Sequence, residues 1–344
     1  MSLHLPLARG RLLHTAALRE AVDPVALMRE GTGALRGLAG PAAEEASRIR
    51  STGVIAVTPD GSVCLDPPPL GPAAAPHRAG PARSSQIDEG ARLRRIDGEE
   101  AERLLDARAL PLFIGANAQD ELLVALVADA PDPRLGRWMH LRRCGHLLAD
   151  DESALAVSAT ALAAWHADYR FCPACGTRTR PILGGWASEC AACGRQEYPR
   201  QDPAIIVAVL DERDRLLLAH NAAWSHPLAS LIAGFVEAGE TPEAAARREV
   251  LEEVALVIDA PVYRAAQPWP FPRSQMMGYA ACLSPHSPRE PAPDGAEIDW
   301  AGFFTRDELA KALRGGEFVA PGPASIAHSM IVDWFGGPLP TPGP

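Results

Sequence analysis

The chain has 344 residues, of which 47% are hydrophobic and 22% charged, the balance of a folded protein with two medium domains and a small module between them. Its 43 acidic and 33 basic residues leave a net charge of -10, the wrong sign for a protein that holds phosphate backbones by its own charge. A phosphate-bearing substrate stays compatible with that sign where bound divalent cations reverse the local field.

Residues 1–20 carry apolar side chains broken by His4, Arg9, Arg11, His14 and Arg19, so they lack the continuous stretch of a secretory signal. No apolar run, residues 203–210 included, approaches the ~18 residues of a membrane-spanning helix; a cytoplasmic protein with no membrane partner is expected. Residues 53–65 place Val54, Ile55 and Val57 before Pro59, Asp60 and Gly61 and resume with Val63 and Leu65, which reads as a hairpin. Residues 66–85 are dominated by Pro, Ala and Gly and cannot bury enough surface to pack, so they are expected as an exposed loop. A helix near 99–105 and a second hairpin, 112–115 with 122–127, complete a β-rich N-terminal domain assigned to residues 1–167. The small and apolar residues 153–167 read as a helix at its end. Beyond the cysteine pairs, strands 204–210 and 215–218 open a second domain over 200–335. There Thr241 and Pro242 mark a helix start, with Thr as N-cap and Pro at the first helical position, and the helix continues to Leu256. The Pro- and Gly-rich segment 336–344 is expected to be a flexible tail.

Four of the seven cysteines form two pairs, Cys172 with Cys175 and Cys190 with Cys193, while Cys64, Cys144 and Cys282 stand alone. Two such knuckles supply the four thiolates that a tetrahedral zinc ion needs and leave no open coordination position, so the metal is structural and residues 168–199 are a zinc ribbon. Gly176 and Gly194 follow the pairs, where a free backbone lets amides turn toward sulfur. A zinc deaminase would need a His-x-Glu partner, and none of the ten histidines has Glu two residues on. A different class of function, a zinc-ribbon nucleic-acid-binding protein without catalysis, rests on Arg178, Arg180, Arg195 and Arg200 around the site.

On a helix, Glu249, Glu252 and Glu253 share one face and repel one another unless a cation sits there. Oxygen ligands of this kind suit Mg2+ or Mn2+. The bland alternative, a solvated acidic helix, leaves unexplained the Gly-rich entry, the N-cap and the adjacent Arg248.

The segment from Gly234 through Glu240, Arg248 and Glu249 to Leu256 resembles the Nudix box. Ala255 stands where that pattern has its last glycine, so the helix exit is expected to avoid any conformation that favours glycine. A second segment, Gln267, Pro268, Trp269, Pro270, Phe271, Pro272, Arg273 and Ser274, closely resembles the signature of the NADH pyrophosphatase (NudC-like) family of the Nudix hydrolase superfamily. Physically it reads as a rigid proline-rich loop offering Trp269 and Phe271 as flat faces for a nucleobase, with Gln267 and Ser274 as polar neighbours. The resemblance implies an α/β (α+β) protein, a Nudix α/β/α sandwich with an N-terminal β-rich domain and the ribbon between them. It implies that Glu249, Glu253 and Glu297 bind Mg2+ or Mn2+, that Glu252 supports the cluster, and that Arg248 with Glu240 holds the loop-helix-loop in shape. It assigns substrate contacts to residues 267–274, Tyr198, Ala327 and Arg143, with Arg142 equally available, whereas Gly185 stands where the family can carry a glutamate. It further implies a homodimer and hydrolysis of NAD(H) to NMN(H) and AMP, with ADP-ribose, other dinucleotides or the NAD cap of an RNA as alternative substrates.

Overall fold

The structure is a computed structural model that describes residues 3–10, 15–66 and 90–341. Nearly all of the loop expected over 66–85, and residues 342–344 of the tail, lie outside the described residues. The chain divides into two compact units: one holds the described residues of Leu7–Arg200 with Pro270–Arg273, the other those of Met1–Pro6, Gln201–Trp269 and Ser274–Pro344.

The first unit opens with three short helices, α1 (Ala16–Ala21), α2 (Pro24–Glu30) and α3 (Gly40–Ala46). The hairpin β1 (Ser51–Val57) and β2 (Ser62–Leu65) follows. Helix α4 (Gly98–Asp106) begins at a capping box in which Asp97 and Glu100 satisfy each other's backbone N–H. Strands β3 (Leu110–Ala116) and β4 (Glu121–Val127) form the second hairpin, and β5 (Arg137–His140), α5 (Leu141–Cys144) and α6 (Asp150–Asp168) follow. The ribbon strands β6 (Thr179–Ile182), β7 (Ala187–Cys190) and β8 (Gln196–Glu197) form a sheet of their own.

The five-stranded sheet runs β3-β4-β1-β2-β5, with only β1 and β4 parallel. Leu122 and Val124 of β4 pack with Leu18 of α1 and Leu27 of α2, and Leu126 packs with Ala101 and Leu104 of α4. Leu123 and Ala125 have the opposite parity and are equally buried, and α6 packs on β1, β2 and β3. Both faces are thus covered, which is why β4 reads as a continuous apolar run. The five strands carry the β-rich character expected, and the first fifty residues, unplaced by sequence, supply α1 to α3. One fully buried carboxylate, Glu152 of α6, accepts hydrogen bonds from Arg95 at 3.0 and 3.1 Å and from the Leu93 amide at 3.1 Å. Arg95 also grips Glu121 of β4 through two bonds of 3.0 and 2.7 Å, so the buried charges are answered by an opposite charge.

The second unit is built on β9 (Asp202–Leu210), β10 (Leu216–Asn221), β11 (Ile232–Phe235), β12 (Val262–Trp269), β13 (Ser274–Cys282) and β14 (Ile298–Phe304). The strand order is β12-β13-β9-β10-β14, with β11 pairing on β9. Strand β9 alternates: Ile205, Val207 and Val209 pack with Ala245, Ala246, Val250 and Val254 of α7 (Pro242–Val254). Ile206 and Ala208 pack instead with Leu309 and Leu313 of α8 (Arg306–Gly315) and Met330 and Ile331 of α9 (Ile326–Phe335). A sheet with helices on both faces is the α/β/α sandwich.

Two boundaries differ from the sequence reading. Leu3 and Leu5 pack into the α8–α9 cluster, and the Ser329 hydroxyl donates to the His4 carbonyl at 2.8 Å, so the chain's start belongs with this unit rather than with 1–167. Leu339 also packs against that cluster, which ties down part of the expected tail.

Candidate active site

Helix α7 starts as its sequence dictates: Thr241 accepts the Ala244 amide and Pro242 occupies the first turn, where its missing N–H costs nothing. From the middle of the helix Arg248 reaches back to the entry loop. Its Nε and Nη2 donate to the two oxygens of Glu240 at 3.0 and 2.9 Å, and Nη2 also donates to the Phe235 carbonyl at 2.9 Å. The planar fork of a guanidinium suits this bidentate grip. Its Nη1 donates to Glu249 at 2.8 Å and Glu252 at 3.0 Å, so one cation clamps the loop and two of the three helix carboxylates.

The three glutamates do not share one environment. Glu249 and Glu253, four residues apart, are buried, whereas the Glu252 side chain is 60% exposed and sits at the rim. The Glu249 carboxylate lies over Gly234 of β11, where an added Cβ would stand 2.1 Å from its carboxyl carbon. Bare backbone at Gly234 is what lets that carboxylate settle there. Glu253 has an oxygen, Oε2, that is buried without a hydrogen-bond partner among the described residues. Burial first, then the charges of Glu249, Glu297, Asp294 and Glu252, pushes its pKa up to about 8.

Asp294 was missed in the sequence, although Asp294-Gly295 is a turn signal. Its carboxylate accepts the backbone amides of Ala296, Glu297 and Ile298, and its own amide donates to the Glu253 carbonyl at 3.0 Å. That loop delivers Glu297 to the end of α7, where Glu297 adds to the charge felt by Glu249 and Glu253. These carboxylates are not drawn into a tight cage: among the described residues the one set of three or more ligand atoms within 4.8 Å of one another is the four cysteines. An orphaned buried oxygen amid like charges nevertheless fits a hard divalent cation, which would take that oxygen and offset the repulsion.

The helix exit corrects an expectation. Ala255 caps α7 with φ 54 and ψ 30, inside the left-handed region that the missing glycine was expected to close off. The bonds that end the helix, from the Ala255 amide to the Leu251 carbonyl and from Leu256 to Val250, hold it there.

The signature segment is not a free proline-rich loop. Gln267, Pro268 and Trp269 end β12, Ser274 begins β13, and Trp269 pairs with Ser274 across a turn of Pro270, Phe271, Pro272 and Arg273. Pro268 is tolerated because β12 is an edge strand. Gln267 is fully buried, and its amide donates to the Ala324 carbonyl at 3.0 Å. Ala327, in the first turn of α9, is also buried. Within the first unit, the Phe271 ring lies 4.9 Å from that of His140 and 4.7 Å from the Arg142 guanidinium. Arg142, rather than Arg143, is therefore the arginine seated on the signature. Arg273 pairs with Asp168 at 3.1 Å, and the exposed Tyr198 hydroxyl donates to Gln196 at 3.2 Å.

In the ribbon the thiols approach as a tetrahedron requires. Cys172 and Cys193 lie 3.7 Å apart, Cys175 and Cys190 3.4 Å, and Cys175 and Cys193 3.7 Å, against an edge of about 3.8 Å for sulfurs 2.3 Å from a central zinc. Gly176 and Gly194, at φ 73 and 70, donate to the Cys172 and Cys190 carbonyls and close the two knuckles.

Known proteins share these features. The NADH pyrophosphatase zinc ribbon domain matches residues 167–198 and the NUDIX domain residues 199–321. The chain is 42% identical over 216 residues to the NAD-capped RNA hydrolase NudC of Mycobacterium bovis, an alignment covering 60% of this chain and 68% of that protein. It is 35% identical over 200 residues to the human NAD-capped RNA hydrolase NUDT12, covering 55% of this chain and 43% of that one. Among solved structures, a NUDIX hydrolase from Nitrosomonas europaea is 26% identical, with a TM-score of 0.33, over 41% of this chain and 80% of that one.

Proposed function

Because the chain belongs to the NudC-like NADH pyrophosphatase family of the Nudix hydrolases, we propose that it uses water to split the pyrophosphate bond of NAD(H), giving NMN(H) and AMP. The observation that carries the reading is Glu253, a buried carboxylate with an orphaned oxygen beside Glu249 on a helix clamped by Arg248. A divalent cation held by Glu249, Glu253 and Glu297, Mg2+ or Mn2+, would supply neutralisation of the diphosphate and a bound water of lowered pKa. Arg248 and Glu240 keep the entry loop and the carboxylates in register, and Glu252 at the rim shares the Arg248 cation. Trp269 offers a flat face for a nucleobase, and Ser274, Tyr198 and an arginine of the 142–143 pair take the substrate contacts that the family implies, whereas the buried Gln267 and Ala327 and the covered Phe271 ring shape the site from behind. Zinc on Cys172, Cys175, Cys190 and Cys193 acts structurally.

The relatives named NAD-capped RNA hydrolases favour a second reading of the same chemistry, removal of an NAD cap from RNA. A purely nucleic-acid-binding ribbon is less well supported: Arg180 and Arg195 are paired with Glu189 and Glu197. The assembly is proposed as a homodimer, for which the exposed Val262 and Tyr263 on the edge strand β12 offer an apolar contact. The protein is placed in the cytoplasm, where its unbridged thiols stay reduced. The test is hydrolysis of NADH, NAD+, ADP-ribose and NAD-capped RNA under Mg2+ and under Mn2+, with products separated by chromatography. NMN(H) with AMP supports the reading, and a metal-supplied protein that leaves all four intact ends it.

A further inference from the structure

A cavity of about 450 Å3 lies in the second unit, lined by β14, the end of β10 and the segments 227–229 and 317–318. Three aromatic rings form one side of it: Trp300 lies 5.6 Å from Phe304 and 5.8 Å from Phe318, and Phe304 meets Phe318 edge-on at 5.5 Å. Trp300 is 37% exposed, a large ring left open to solvent. Asp299 and Glu317, both exposed, bring carboxylates to the same cavity beside the His220 ring, and among the described residues no Lys or Arg lines it. The cavity is separate from the diphosphate site: Ile298 and Phe303 of β14 pack in the α7 cluster, whereas Phe304 packs in the α8–α9 cluster.

We propose that this cavity binds a small organic cation that carries no phosphate, an alkylated ammonium or a pyridinium, seated on Trp300 with Asp299 and Glu317 answering its charge. The negative face of an aromatic ring attracts a cation, and the tryptophan ring does so most strongly. Two carboxylates add to that attraction and repel phosphate, so the site excludes a second dinucleotide. The volume lies in the range of small-molecule pockets.

Calorimetric titration of the full chain, without added Mg2+ or Mn2+, tests this with choline as the ammonium, 1-methylnicotinamide as the pyridinium and 3,3-dimethyl-1-butanol as the neutral isostere of choline. Binding of either cation about tenfold tighter than the isostere is expected, and the tighter cation identifies the head group. Trp300→Ala should weaken it about tenfold. The Asp299→Asn, Glu317→Gln double variant, which keeps every ring, should do the same with an unchanged circular dichroism spectrum. The proposal is overturned if neither cation binds at millimolar concentration, if the isostere binds as tightly, or if the double variant binds like the wild type.

Discussion

Replacing Gly234 by alanine isolates the placement of a single carboxylate. The new Cβ would stand 2.1 Å from the Glu249 carboxyl carbon and 2.6 Å from Oε2, where ordinary contact begins at 3.4 Å. Something must give, and the near atoms are the end of a side chain rather than backbone. The carboxylate therefore shifts by roughly an ångström while β11 keeps its pairing with β9, and a displacement of that size at a reacting centre costs on the order of 10²-fold in rate, about 2.7 kcal/mol of barrier. Arg248 retains Glu240 and Phe235 as partners, so the entry loop stays clamped. The assay is kcat/KM for NADH under saturating Mn2+, alongside the thermal midpoint and the circular dichroism spectrum. Activity within twofold of wild type in a folded Gly234→Ala protein would refute the argument that the Glu249 carboxylate must lie on Gly234.

Three further outcomes are expected. Ala255→Gly relieves a left-handed alanine that is exposed and loses no packing; it should stabilise the protein by about 0.5–1 kcal/mol, and an unchanged or lower denaturation midpoint would count against strain at that exit. Glu121→Gln should cost about 1–3 kcal/mol at neutral pH by breaking the grip of Arg95. Burial raises the Glu121 pKa, but the bonds from Arg95 more than offset this and leave it lowered. Its contribution is thus complete above the ordinary carboxylate pKa and lost as pH falls through the lower folded value, so urea midpoints of wild type and variant should converge on acidification from pH 7 toward about pH 3. Metal analysis should find stoichiometric zinc, and a strong chelator should open the ribbon to proteolysis; a zinc-free protein with a protease-resistant ribbon would remove the metal from the account.

What could be read from the sequence was local. The Thr241 cap, Pro242 and the cysteine knuckles depend on spacings of a few residues along a helix or a turn, and the structure shows these features in place; the contact of Arg248 with Glu240 is implied by the family resemblance, not by spacing, and the two side chains do meet. The misreadings are tertiary. The prolines around Trp269 read as a rigid loop, whereas residues 267–269 end β12, whose edge position, a property of the whole sheet, tolerates Pro268. Gln267 looked like an available polar neighbour, and only its packing beside Ala324 reveals that it is buried. Asp294 acts through a loop docked on the end of α7, and the packing of Leu5 with α9 joins opposite ends of the chain. Ala255 shows the same priority: the hydrogen bonds that close α7 outweigh the preference of an alanine backbone.

The account stands most directly on hydrolysis of NADH by Glu253→Gln, an isosteric change that removes the ionisable oxygen and keeps the side chain's volume. Turnover with Mg2+ or Mn2+ should fall to background while thermal stability and zinc content stay at wild-type levels. Turnover at the wild-type rate in that variant would contradict the assignment of Glu253 as the carboxylate that anchors the catalytic cation.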